Sequence, residues 1–167
     1  TIITTQIWSY TTTSIPFTWD PTGTLLFSGD DTYGTYTMPF SFPFYGNNYN
    51  KLYIGSNGYI TFDHGHTSYS PSTIWNTIFL VSPTIAVMGK DLVSQVYVSN
   101  HGNYVTIRWY GRAYGNPPDH DLMQVQLYDN GDIIMSYTDW QSTQCAGVSK
   151  GDGTTYVTIT PASGTSF

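Results

Sequence analysis

The run Phe42–Asp63, FPFYGNNYNKLYIGSNGYITFD, constrains the fold more than any other stretch of the chain. Within it Ser56-Asn57-Gly58 separates two short runs of strand-forming residues, Leu52–Gly55 and Tyr59–Phe62. Asn-Gly readily adopts the left-handed backbone that a tight hairpin turn needs, and strands flanking such a turn pair antiparallel. The same cadence recurs along the chain. Asp129-Asn130-Gly131-Asp132 separates Leu122–Tyr128 from Asp132–Thr138, and Asn100-His101-Gly102-Asn103 separates Val93–Ser99 from Tyr104–Tyr110. In Tyr104–Tyr110 the apolar residues Val105, Ile107 and Trp109 alternate with Thr106 and Arg108, the period of a strand with one core face.

Further strands are expected at Thr24–Phe27, Thr32–Phe40, Thr84–Met88, Cys145–Val148 and Thr154–Thr160. About a dozen strands at hairpin spacing predict an all-β fold, an antiparallel, jelly-roll-like β-sandwich with little or no helix. Only Pro71–Leu80 could hold a short helical turn. Composition agrees: Glu is absent, whereas Thr, Tyr, Ser and Gly, which suit pleated sheets and turns, are abundant. With 167 residues and no linker or repeat, the chain reads as one sandwich domain, residues 15–167. Residues 1–14 precede it as an N-terminal extension.

Charge narrows the partners. Five Lys and Arg against eleven acidic residues give a net charge of −6. So few cations cannot neutralise a phosphate backbone or dock on an anionic bilayer, so nucleic acid and membrane surfaces are excluded as partners. Apolar runs such as Ile78–Val81 and Ile85–Met88 are too short for membrane insertion. Cys145 is the lone cysteine, and its neighbours Gln144 and Ala146 mark it as a small buried hydrophobe rather than an activated nucleophile. The chain begins at Thr1 with no charged-then-apolar leader, as expected of either a processed secreted product or a piece of a longer chain.

The motifs of the opening run, Phe42-Pro43-Phe44-Tyr45-Gly46 and Ser56-Asn57-Gly58-Tyr59-Ile60-Thr61-Phe62, are followed in order by several others. These are His66–Pro71, Pro83-Thr84-Ile85-Ala86, Asn103–Tyr110, Gln124–Asp132 and Ala146–Gly153. Together they resemble a β-sandwich module of secreted bacterial and archaeal surface proteins, similar in pattern to the nidogen-type extracellular domain. The resemblance runs over about Pro39–Tyr156 and leaves the N-terminal segment uncovered. It implies an extracellular setting and a role in adhesion or assembly, and brings no catalytic residues with it. The chain departs from the pattern after the Ile-Ala strand, where Val87–Leu92 keeps a single acid, Asp91, beside Lys90 in place of paired acids.

Chemistry-bearing residues are few. Asp63, His64 and His66 form one candidate metal set, because in a strand the two imidazoles share a face and Gly65 lets the backbone bend. Asp119, His120 and Asp121 form a second set in the loop after Pro117-Pro118, and a zinc or copper site would require the two sets to meet. Acidic turns at Asp30-Asp31, Asp129 with Asp132, and Asp152 lack the spacing of a calcium loop and read as ordinary turn chemistry. No nucleophile elbow, phosphate-binding loop or dinucleotide fingerprint occurs, so neither an enzyme nor a resident cofactor is expected; a bound metal ion or calcium is the minor alternative. No Asn-x-Ser/Thr acceptor is present, and Thr11, Thr12, Thr13 and Ser14 are the candidate O-glycosylation cluster.

The remaining signal is the N-terminus. Thr1–Thr13, TIITTQIWSYTTT, has high strand propensity, no charge, no Gly and no Pro. Such a segment is adhesive unless paired, either in its own sheet or in a neighbour's. The leading expectation is therefore a structural subunit of an extracellular, pilus-like filament. Ile2, Ile3, Ile7, Trp8 and Tyr10 would form a donor strand, and the partners would be copies of the chain in a helical homopolymer. The alternative is a non-enzymatic adhesion module whose partners are glycans or surfaces, using some of the five Trp and fifteen Tyr as a stacking platform.

Overall fold

A computed structural model of the chain describes residues 9–140 and 145–167. In chain order the first strands are β1 (Thr24–Gly29), β2 (Tyr33–Phe44), β3 (Asn47–Gly55), β4 (Tyr59–Thr61), β5 (Thr84–Ala86) and β6 (Leu92–Asn100). They continue with β7 (Tyr104–Ala113), β8 (His120–Tyr128), β9 (Ile133–Tyr137), β10 (Gly147–Ser149), β11 (Tyr156–Thr158) and β12 (Thr165–Ser166). Every pairing is antiparallel. Two six-stranded sheets result, ordered β1-β6-β7-β8-β9-β12 and β11-β10-β5-β4-β3-β2. They face each other across one core, a β-sandwich as the turn cadence requires.

The two sheets differ in how they bury their strands. In β6 burial alternates, with Leu92, Ser94, Val96 and Val98 inward and their neighbours half-exposed, and Val105, Ile107 and Trp109 of β7 also face the core. In β4 and β5 every residue is buried. Ile60 and Ile85 point into the inter-sheet core, while Tyr59 and Ala86, register partners, join Ile74, Ile78, Phe79 and Cys145 in a second cluster on the outer face. That outer face is covered by α1 (Pro71–Thr73), which runs directly into a π-helical turn, Ile74–Phe79. Pro71 sits in the first turn, and the Ser70 hydroxyl accepts from the Thr73 amide at 3.2 Å, so the helix starts where its residues favour a start.

The aromatic run adds a turn that its sequence does not advertise. Strand β2 continues through Phe42-Pro43-Phe44, beyond the expected end at Phe40, and reverses at Tyr45 (φ 46°) and Gly46 (φ 83°) into a β3 that starts at Asn47 rather than Leu52. Pro39 and Pro43 are tolerated because β2 is the edge strand of its sheet. Phe42, Phe44, Tyr59, Ile60 and Phe62 are all buried, and Phe62 meets Phe44 at 4.7 Å and Tyr49 at 4.6 Å between ring centroids. Cys145 lies before β10, which begins at Gly147, and is buried as expected. Strand β12 is short and polar enough to have escaped the sequence reading.

Ser56-Asn57-Gly58 is a buried node and not merely a surface turn. Asn57 is 1% exposed, its Nδ2 donates to Asp31 at 2.9 Å and to the Ser68 carbonyl at 3.2 Å, and its Oδ1 accepts from the Leu92 amide at 2.8 Å. The Ser94 hydroxyl donates to the Ser56 carbonyl at 2.8 Å, tying β6 of the facing sheet to the same turn. Gly58 has φ 79°, its carbonyl accepts from Val87 and Met88, and a Cβ there would collide with the Met88 carbonyl. Trp109 Nε1 bridges the sheets to the Gly55 carbonyl at 2.9 Å, and Tyr137 does so to Val87 at 2.7 Å.

Asn57→Ala strips three hydrogen bonds and leaves the buried Leu92 amide without its acceptor. It is expected to destabilise the domain by about 3 kcal/mol, read from chemical denaturation midpoints at unchanged slope.

Candidate functional site

The sandwich is open along one side. There β12 ends one sheet and β11 the other, and both are very short. Strand β12 pairs only with Tyr137 and Ser136, and Phe167 adds a two-bond rung to Met135, so the Ile133–Ile134 half of β9 forms a bare edge among the described residues. Between the two edges lies a groove of about 540 Å³, walled by Ile133 and Met135 on one side and Val148, Val157 and Ile159 on the other. Half-buried Ile133, Val157 and Ile159 form apolar lips above the fully packed core.

The N-terminal segment passes over this groove. Ile15 makes a single antiparallel bridge to Ser166, with its amide donating at 3.1 Å, and Tyr10, Thr11, Thr12 and Thr13 line the groove. Tyr10 is half-buried against its own domain, 5.4 Å from Phe44 and 5.0 Å from Tyr45 between centroids. Its hydroxyl donates to the Pro43 and Gly131 carbonyls, both at 3.3 Å, and burial together with Tyr45 and Asp132 pushes its pKa well up. Thr11, Thr12, Thr13 and Ser14 are exposed. Ile2, Ile3, Ile7 and Trp8 lie outside the described residues.

Asp20 clamps the chain where it joins the sandwich. Its amide donates to Gln124 of β8 at 3.1 Å. Its carboxylate accepts from the Thr22 amide at 2.9 Å, Ser99 Oγ at 3.2 Å and Thr106 Oγ1 at 3.0 Å, and lies 2.7 Å from His101 Nε2. Burial alone would raise this carboxyl, but the hydrogen bonds from Thr22, Thr106 and His101 outweigh it and hold the group at about 2. Among the described residues before Asp20, contacts with the sandwich include the bridge at Ile15, the hydrogen bonds of Tyr10 and Thr18, and the groove contacts.

The two histidine sets part company. Asp63, His64 and His66 gather just after β4, one ligand atom from each lying within 4.8 Å of the others. Asp119, His120 and Asp121 sit at the start of β8 and do not join them. Asp119 pairs with Arg112 and Asp121 with Arg108, while His120 Nε2 lies 2.6 Å from Asp139. Burial works against the charged form of His120, but Asp139 and the Pro118 carbonyl prevail and raise its pKa. The structure thus does not bring the two sets together, and the carboxylates of the second set pair with arginines.

A third grouping was not legible in the sequence. The turn after β1 brings Asp30 and Asp31 to Asp91, so the single acid of the Val87–Leu92 loop regains acidic neighbours from 60 residues away in the chain. Burial, Asp31 and Asp30 raise the Asp91 pKa. The other acidic turns behave as local turn chemistry: Asp152 accepts from the amides of Thr154 and Thr155, and these bonds lower its pKa. Cys145 is sealed beneath the helical turn, and burial pushes its thiol up to about 12.

These features define a two-sheet antiparallel β-sandwich module with one open edge, over which residues 10–15 pass. The chain belongs to the family described as NIDO related (nidogen-related), whose model matches residues 8–167 and so takes in most of the sequence, including Tyr10 and the groove. It is a module of the extracellular type, and no helix among the described residues is long and apolar enough to cross a membrane. No curated protein and no solved structure matches the chain.

Asp20→Ala is expected to cost about 2–3 kcal/mol at neutral pH, the scale for charge-assisted bonds. Because the folded carboxyl titrates at about 2, below its ordinary value of 3.8, this stabilisation is complete above pH 4 and vanishes as pH falls through 2. Denaturation curves of the two proteins are expected to converge over that interval.

Proposed function

We infer that the chain is a structural subunit of an extracellular or cell-surface filament, assembled by strand donation between neighbouring copies. The observation that carries this reading is the apolar groove at the open edge of the sandwich, flanked by the outer edge of β9 that is bare among the described residues and reached by the chain's own residues 10–15. Residues 1–8, TIITTQIW, are uncharged and of high strand propensity, and so have the chemistry that such an edge accepts. A neighbour's segment would add main-chain hydrogen bonds along Ile133–Ile134 and set Ile2 or Ile3, Ile7 and Trp8 between the apolar lips. Each large side chain buried there contributes roughly 1.5–3 kcal/mol before ordering costs. Donation of a strand head-to-tail is a heterologous contact, and such contacts propagate into helical polymers unless a rotation closes them. The clamp at Asp20 lets the preceding residues change partner without disturbing the sandwich. The low charge of the chain suits close packing of copies.

One feature favours a second reading, a carbohydrate- or surface-binding adhesion module without enzymatic activity. His101, Tyr104 and Tyr128 stack in a column at 4.3 and 4.8 Å between centroids, on the hairpin ends beside the groove. A column of half-exposed aromatic rings of this kind offers apolar surface on which a sugar can pack. A glycan screen comparing the full chain with Tyr104→Ala distinguishes this reading, which fails if no glycan is retained.

For the leading reading, a chain lacking residues 1–8 is expected to stay folded and monomeric by sedimentation velocity, while the full chain forms filaments visible by negative-stain electron microscopy. A synthetic peptide of residues 1–10 is expected to bind the truncated chain saturably, and Val157→Arg, which charges the groove lip, to abolish that binding. Filaments formed equally well by the truncated chain would overturn the assignment.

A further inference from the structure

His66 is the anomaly of the loop after β4. Its Nε2 is shielded from solvent and has no hydrogen-bond partner, one of three such side-chain atoms among the described residues. Buried polar atoms of this kind are rare in folded proteins and point to a missing water or ion. Here the surroundings choose between them. The His64 ring lies against the His66 ring, 4.2 Å between centroids, and His64 Nδ1 is 3.1 Å from Asp63 Oδ2. One ligand atom from each of the three residues lies within 4.8 Å of the other two. Donors bonded to one ion at about 2.0–2.1 Å stand roughly 3.3–4.2 Å apart, so a small closing movement suffices.

The loop is built and not merely crowded. The Thr61 hydroxyl donates to the His64 carbonyl at 2.6 Å, and the Asp63 carboxylate accepts from the His64 amide at 2.8 Å. Gly65 passes so close to the Tyr33 ring that a Cβ would overlap it, which fixes the turn that turns both imidazoles to one side. His64 and Asp63 stay open to solvent, which gives an ion an approach path and leaves coordination positions for water.

We propose that Asp63, His64 and His66 form a binding site for a late first-row divalent metal ion such as Zn2+ or Cu2+. Two imidazoles and one carboxylate on a single turn suit those ions and do not suit Ca2+ or Mg2+, which favour sets made wholly of oxygen. The site is independent of Asp119, His120 and Asp121, whose partners are Arg112, Asp139 and Arg108. It also stands apart from the oxygen-only group at Asp30, Asp31 and Asp91.

The test is calorimetric titration of Zn2+ into untagged full-length protein, with and without excess Ca2+. One Zn2+ per chain is expected, undisturbed by Ca2+. His64→Ala, at an exposed position, is expected to weaken binding by more than the roughly 10–100-fold that follows loss of a supporting partner. Asp63→Asn is expected to weaken it in the same direction, and His120→Ala to leave it unchanged. Cu2+ added to the same proteins is expected to give an electron paramagnetic resonance spectrum with coupling to two imidazole nitrogens, and to one in His64→Ala. Circular dichroism of each variant separates lost ligation from lost folding. Absence of saturable binding by the wild type, wild-type affinity in His64→Ala, or displacement of Zn2+ by Ca2+ would each overturn the proposal.

Discussion

The constraint on which the rest of this sandwich depends is the burial of a polar turn between its two sheets. Most hairpin turns lie in water, where their unpaired amides and carbonyls cost nothing. Ser56-Asn57-Gly58 is instead almost wholly enclosed, so its polar groups must find partners inside the protein. Those partners come from the β1–β2 turn, from the loop after β4, from Val87, Met88 and Lys90 ahead of β6, and from Leu92 and Ser94 of β6 itself. The turn therefore sets the relative position of segments far apart in sequence, including both sheets. Asn serves here because one side chain offers two donors and an acceptor, and Gly because the Met88 carbonyl leaves no room for a Cβ.

Residues with a local cause were legible in the sequence; residues whose role depends on distant neighbours were not. The alternation of Val105, Ile107 and Trp109 and the Asn-Gly turns identified strands and their order, because strand period and turn chemistry act within a few residues. The fully buried β4 and β5 could not be assigned a face from their pattern. Their outer side is covered by the Pro71–Phe79 helical turn, so apolar residues occupy both faces. The turn at Tyr45-Gly46 was hidden because Tyr is an uncommon residue at positive φ, held there by its contacts with Phe44 and Tyr10. For the sites, the gathering of Asp63, His64 and His66 was readable because these residues are neighbours in the chain. The diversion of Asp119 and Asp121 to arginines, and the gathering of Asp91 with Asp30 and Asp31, are tertiary facts with no local signature.

Order within the molecule is unevenly distributed, and the distribution fits the proposed assembly. The core between the sheets is closed by interdigitated side chains and by bridging hydrogen bonds from Trp109 and Tyr137. Among the described residues the open edge is finished by two residues of β12, the rung from Phe167 to Met135, three residues of β11 and the bridge at Ile15. A sheet edge of this kind is a hazard that proteins usually blunt with charge or a bulge. Here the edge is apolar, and among the described residues Asp132 is the one charged residue that lines the groove.

The sealed thiol has a consequence for where such a domain can persist. With one cysteine there is no internal cross-link to form, and burial beneath the Pro71–Phe79 turn keeps that sulfur from reacting with another chain. The fold is therefore redox-silent: oxidants cannot lock it and reductants cannot loosen it. Its cohesion rests on packing, hydrogen bonds and ion pairs such as Arg108–Asp121 and not on any covalent cross-link, so crowded copies of the domain would not be scrambled by disulfide exchange.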